Sequence, residues 1–150
     1  MRVALFVTCL VDFFRPSVGF ASVELLRRGG CEVEVPAAQS CCGQPAFNNG
    51  DLDAARAVAR QVIQVFAGFD YLIIPSGSCG GMVQRHYPEL FADDPEWHPR
   101  ALELADRAGV TRQTVGLIEA GRYNPTLNLC VQLARVTGKT LDELFWFPGD

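Results

Sequence analysis

Net positive charge is the first thing this 150-residue chain lacks. Thirteen Lys and Arg stand against seventeen Asp and Glu, for a formal net charge of −4. No overall basic field draws the molecule to nucleic acid or to an acidic membrane, so any DNA binding has to come from a local patch. Lysine is nearly absent: every basic residue except Lys139 is Arg, which reads as genome composition. Long apolar runs are also missing. The start from Val3 to Val11 follows Arg2, but Asp12 and Arg15 cut it short and no small-residue cleavage site follows, which argues against export and for a cytoplasmic protein. At 49% apolar and 20% charged residues the balance is that of a globular chain, neither disordered nor membrane-spanning, with room for one domain or two small ones. No Ser-His-Asp spacing or nucleotide fingerprint occurs. Gly77 to Gly81 follows a strand but has neither the GxGxxG pattern nor the Lys of a phosphate loop, so hydrolytic and nucleotide chemistry are excluded.

Cysteine is what the chain does have. Six occur, and in a chain of this composition they favour metal or redox chemistry over a disulfide framework. The first hundred residues alternate short β-branched runs with helical periodicity, the signature of a parallel βα sheet of three strands. The strands are Arg2 to Thr8, Cys31 to Val35 and Tyr71 to Pro75. Helices are predicted from about Pro16 to the Gly29-Gly30 stop, from Asp51 through Phe66, and near Met82 to Phe91, with Pro36 to Gly50 as a loop.

In such a sheet ligands bind beyond the carboxyl ends of the strands. Cys9 follows strand one, Cys41 and Cys42 sit in the loop after strand two, and Cys79 follows strand three, so three loops bring thiols to one rim. Gly43, Gly77, Gly80 and Gly81 beside them allow tight turns and close approach to a bulky ligand. Thiolate sulfur suits an iron-sulfur cluster, with zinc as the alternative. Cys31 and Cys130 read instead as small buried hydrophobes, and a vicinal Cys41–Cys42 disulfide is a strained minor alternative. His86 and His98 read as solvated, with His86 a possible nitrogen ligand.

The segments Phe6-Val7-Thr8-Cys9-Leu10-Val11-Asp12, Cys41-Cys42-Gly43-Gln44-Pro45-Ala46-Phe47-Asn48, Pro75-Ser76-Gly77-Ser78-Cys79 and Tyr87 to Pro95 carry a resemblance. Residues 1 to about 107 resemble the first half of the cysteine-rich iron-sulfur proteins of the lactate-utilisation system, relatives of the heterodisulfide reductase B subunit. The resemblance implies electron transfer through a cluster in L-lactate oxidation, with Cys9, Cys41, Cys42 and Cys79 as ligands. Two departures stand against it. Ser76 holds the first place of the family's Cys-x-x-Cys, and the family's second cysteine-rich half is not present.

Beyond Arg107 the pattern becomes all-helical. Helices are predicted at Ala101 to Gly109, Thr111 to Gly121, Leu127 to Thr137 and Leu141 to Phe147, with breakers at Gly109, Gly121 to Pro125 and Gly138. Ala105, Gly109, Val110, Val115 and Ile118 fit a helix-turn-helix: small at the crossing, Gly at the turn, apolar where the helices pack. From Arg107 to Lys139 there are five basic residues and one acid, the local patch that DNA binding requires. Thr111-Arg112-Gln113-Thr114-Val115 and Ile118 to Pro125 resemble Xre/Cro-family regulators, from Ala101 onward. The resemblance lacks that family's first helix, a slot filled either by the helix at Met82 to Phe91 or by association. It implies DNA contacts from Thr111, Arg112, Gln113, Thr114, Arg122 and Asn124, the side chains at the start of a recognition helix and beyond it.

The expected organisation is therefore a cysteine-rich α/β domain over residues 1–100 and a helix-turn-helix over 101–150, acting as a homodimer or with a partner subunit that supplies the missing half. Three functions are compatible with it: a DNA-binding regulator whose cysteine-rich domain holds a redox-responsive metal or cluster, an iron-sulfur electron-transfer subunit of lactate oxidation with a helical tail, and a fusion without settled function.

Overall fold

A computed structural model describes residues 1–111 together with 138 and 140. The expected helices at 111–121, 127–137 and 141–147, Cys130, and the side chains of Arg112, Gln113, Thr114, Arg122 and Asn124 lie outside the described residues.

The three expected strands form, each shorter than its apolar run: β1 Arg2–Leu5, β2 Glu32–Glu34 and β3 Tyr71–Ile74. All pair in parallel, Val3 with Val33 on one side and with Tyr71 on the other. A fourth strand, β4 Ala108–Thr111, extends the sheet in the order β2-β1-β3-β4, with Leu72 opposite Ala108, Ile74 opposite Thr111 and a register irregularity between them. The reading from sequence ran a helix through this stretch to Gly109. That helix, α7 Trp97–Arg107, starts before Pro99 and stops two residues earlier than expected. The correction has a tertiary cause: β3 offers an open edge, and pairing with it outweighs the weak local preference of Ala-Gly-Val-Thr.

The helices follow from local signals. α2 Pro16–Arg28 begins on the proline expected at its first turn and ends at Gly29, after which Gly30 takes φ +81°. α4 Leu52–Phe66 is capped by Asp51, whose Oδ1 accepts the Ala54 N–H at 3.1 Å. Its apolar stripe, Ala55, Ala59, Val62, Ile63 and Phe66, is fully inward. Three short helical pieces were not anticipated as such: α1 Cys9–Phe14, α3 Gln44–Asn48 within the expected loop, and α5 Gly77–Gly81 leading through a π-helical turn, Met82–His86, into α6 Tyr87–Leu90.

Both faces of β1 are buried, as a central parallel strand requires. Ala4 and Phe6 point into the main core with α4, α6 and α7, where the rings of Phe6 and Phe66 lie 5.2 Å apart. Val3 and Leu5 alternate to the opposite face and are also fully buried. Arg2 ties the opposite end of the sheet, its N–H donating to Asp70 Oδ2 at 2.7 Å.

Candidate functional site: a thiol rim at the carboxyl ends of the strands

The chain leaves β1 through Thr8 and turns into α1 at Cys9, so Cys9 opens a helix directly beyond the strand end. Gln39, from the loop after β2, holds this exit. Its Oε1 accepts the Val7 N–H at 2.7 Å while its Nε2 donates to the Pro36 carbonyl at 2.9 Å. One amide thereby satisfies a backbone donor left over at the end of β1 and closes its own loop. Sequence reading passed over Gln39, since nothing local marks a glutamine as a bridge between two loops.

The Cys41-Cys42-Gly43 turn is built for close packing. Gly43 has φ +82°, and a Cβ there would meet Val58 Cγ1 at 3.3 Å. The Gly43 N–H points at Cys41 Sγ, 3.5 Å away. Tyr87, fully buried, donates from its hydroxyl to the Cys42 carbonyl at 2.9 Å, which fixes the turn to the opposite wall. Burial keeps the Tyr87 phenol protonated, pushing it well above its usual range, and the neighbouring cysteines add to the shift.

The four rim cysteines fall into two pairs. Cys42 and Cys79 are buried, at 3% and 4% exposure, and their thiols influence each other's ionisation. The interaction with Cys42 lowers Cys79 to about 6, helped by Ser76 and Ser78 and opposed by burial. Cys42 is raised, first by its interaction with Cys79 and then by burial, so of the two Cys79 is the more acidic. Cys9 and Cys41 are exposed and line an open groove of about 510 Å³, together with Val7, Asp12, Phe13, Pro36 and Gln39. Among the described residues no three His, Cys, Asp or Glu side chains stand close enough to hold one metal ion.

Ser76, which holds the first place of the family's Cys-x-x-Cys, faces Ser78 with its Oγ 3.4 Å away. Cys31 is buried, as read from sequence, and burial raises its thiol. His86 is turned to other uses: Nδ1 lies 2.7 Å from Glu89 Oε2 and the ring packs on Phe47 at 4.4 Å. The rim's remaining signal is Thr8. Its side chain is 2% exposed and its hydroxyl has no hydrogen-bond partner among the described residues.

Two buried thiols, with two more in the adjoining groove, make a soft donor set, suited to thiophilic metals and not to Mg²⁺ or Ca²⁺. The fold and rim define a parallel α/β protein with cysteine chemistry at the strand ends. The chain belongs to the family of the CCG cysteine-rich domain, whose model matches residues 3–84. A helix-turn-helix model matches residues 101–144. Lactate utilization protein A of Bacillus thuringiensis and of Bacillus cereus and Lactate utilization protein A 2 of Bacillus mycoides are each 51% identical to it over 107 residues. That match takes in 71% of this chain and 44% of each relative, so the chain spans less than half the length of these proteins. No solved structure matches. No helix among the described residues is long and apolar enough to cross a membrane.

Proposed function

We propose that this chain is a DNA-binding regulator whose cysteine-rich domain, residues 1–100, holds an iron-sulfur cluster or a zinc ion on the thiol rim, with residues 101–150 as the DNA-binding domain. The observation that carries it is the joining, in one chain, of a rim of four thiols with a segment that matches a helix-turn-helix model. Cys9, Cys41, Cys42 and Cys79 are the ligands in this reading, which requires the loops to close from an arrangement in which, among the described residues, no three such groups stand together. The set is all sulfur, which suits a cluster or a thiophilic ion, and the Thr8 hydroxyl beside Cys9, without a partner among the described residues, is placed to donate to a bound sulfide or thiolate. A cluster would supply one-electron redox chemistry. The chain's own part is to supply the thiols, to hold the turn through Tyr87 and Gln39, and to shield Cys42 and Cys79 from water.

Thr111, Arg112, Gln113, Thr114, Arg122 and Asn124 are the proposed DNA contacts, in a stretch that is locally basic within an acidic chain. A second reading is favoured by the 51% identity to proteins named for lactate utilization: an electron-transfer subunit of L-lactate oxidation, completed by a partner chain or a second copy.

Anaerobic purification with iron, acid-labile sulfide and zinc analysis, followed by titration of random-sequence duplex DNA at low salt, tests both. Iron and sulfide in near-equal amounts, lost in Cys42→Ser, together with DNA binding that weakens steeply with salt, support the regulator. Cluster without DNA binding favours the electron carrier. A metal-free protein under these conditions removes the rim from both readings.

A further inference from the structure

The helix-turn-helix match begins at residue 101, yet residues 101–111 are already in use by the cysteine-rich domain. In sequence, Ala101, Leu104, Ala105 and Ala108 stand at the i, i+3, i+4, i+7 spacing of a single helical face, the first three on α7 and Ala108 at the start of β4. Ala101, Leu104 and Ala108 are buried at 0%, 2% and 4% exposure, packed into the sheet core, whereas Leu102 on the other side is 46% exposed. A helix-turn-helix covers the same stripe with its own following helices, because its first matched helix has no second apolar face to give them. The backbone adds a second conflict. The turn at Gly109 and a helix opening at Thr111 are incompatible with extended pairing of Thr111 opposite Ile74.

We infer that α7 and β4 are a shared segment: docked on the sheet they occlude the DNA-binding unit, and DNA binding requires them to leave it. This rests on the DNA-binding reading above and names its regulation. Besides the pairing of β4 with β3, two side chains among the described residues tie the docked arrangement. The Gln84 side chain donates to the Ala108 carbonyl, and Arg107 donates to the Ala67 carbonyl at 2.7 Å. Among the described strands β4 lies at the edge, with β3 as its neighbour. Ligands that favour the undocked arrangement gain only by their differential affinity, which makes the sheet domain a built-in opponent of DNA binding.

The test is hydrogen exchange on the full chain with and without random-sequence duplex DNA. The expected result is that backbone amides of 108–111 and of β3 lose protection when DNA is bound, while α4 stays protected. DNA bound with 108–111 still protected overturns the inference and leaves the DNA-binding reading standing. No DNA binding at low salt overturns both. Gln84 lies outside the cysteine rim and the proposed DNA contacts, and Gln84→Glu sets an acceptor against the Ala108 carbonyl. This variant is expected to bind the same DNA about fivefold tighter, the shift in docked population that one lost hydrogen bond produces. Unchanged affinity, with 108–111 exchanging faster, counts against occlusion.

Discussion

Thr8 buries a hydroxyl that nothing in the described structure satisfies, one residue before the first rim thiol. Such a group costs the desolvation of its polar atom without return, and native proteins keep few of them. Thr8→Val removes that cost at nearly constant shape. In the metal-free chain it is expected to raise stability by about 1 kcal/mol, read from the urea midpoint. If the hydroxyl serves a bound cluster, the same variant also loses metal more readily when challenged with a chelator, a readout that packing alone leaves unmoved. Gly43 gives the opposite case. With φ +82° and Val58 Cγ1 3.3 Å from where a Cβ would sit, Gly43→Ala meets both backbone strain and a crowded neighbour. A loss of about 1–3 kcal/mol is expected, again from urea unfolding. Tyr87→Phe leaves the Cys42 carbonyl without its buried donor. It is expected to cost about 1–3 kcal/mol and to speed alkylation of Cys42 by iodoacetamide.

Among elements, the contrast between α4 and β4 shows what sequence can and cannot disclose. α4 was legible because its signals are local: a start at Asp51 and seven apolar residues at spacings of three and four, of which five are buried, Val58 is partly buried and Leu52 is exposed. The rim was legible for a related reason, since strand ends are where loops place ligand-binding residues. β4 was not. Ala108 to Thr111 has no strand pattern of its own, and its extended form depends on the edge of β3, thirty-odd residues earlier in the chain. The pairing of Cys42 with Cys79 was equally hidden. Sequence placed four thiols on one rim, but only the buried Tyr87 contact and the Gly43 turn decide which two meet. Leu104 joins the two scales of argument, being buried in the core and lying on the shared stripe. Leu104→Ala is expected to cost the sheet domain about 2–5 kcal/mol by thermal or urea unfolding.

At the scale of the molecule, the described surface is uneven. Phe13, Phe14 and Phe20 on α1 and α2 are 77%, 75% and 76% exposed, and Leu10 and Leu25 lie half-exposed on the same two helices. Single exposed apolar residues are ordinary, but this concentration on adjacent helices is what an interaction face carries. It adjoins the groove that holds Cys9 and Cys41, to which Phe13 also contributes. The relatives named for lactate utilization have more than half of their length beyond the shared 107 residues. Association through this face is expected to show as a sedimentation coefficient that rises with protein concentration. Phe13→Glu with Phe14→Glu should hold it at the monomer value while far-ultraviolet circular dichroism stays unchanged, because both side chains are outside the core and their replacement removes no buried contact. A wild-type chain that sediments as a monomer at every concentration would mean that these rings are solvated and that the groove beside them opens to water. Cys9 and Cys41 would then be reachable by a small thiol reagent as fast in the wild type as in the double variant. Slower labelling in the wild type alone, at concentrations where it associates, would place the rim thiols under the partner copy.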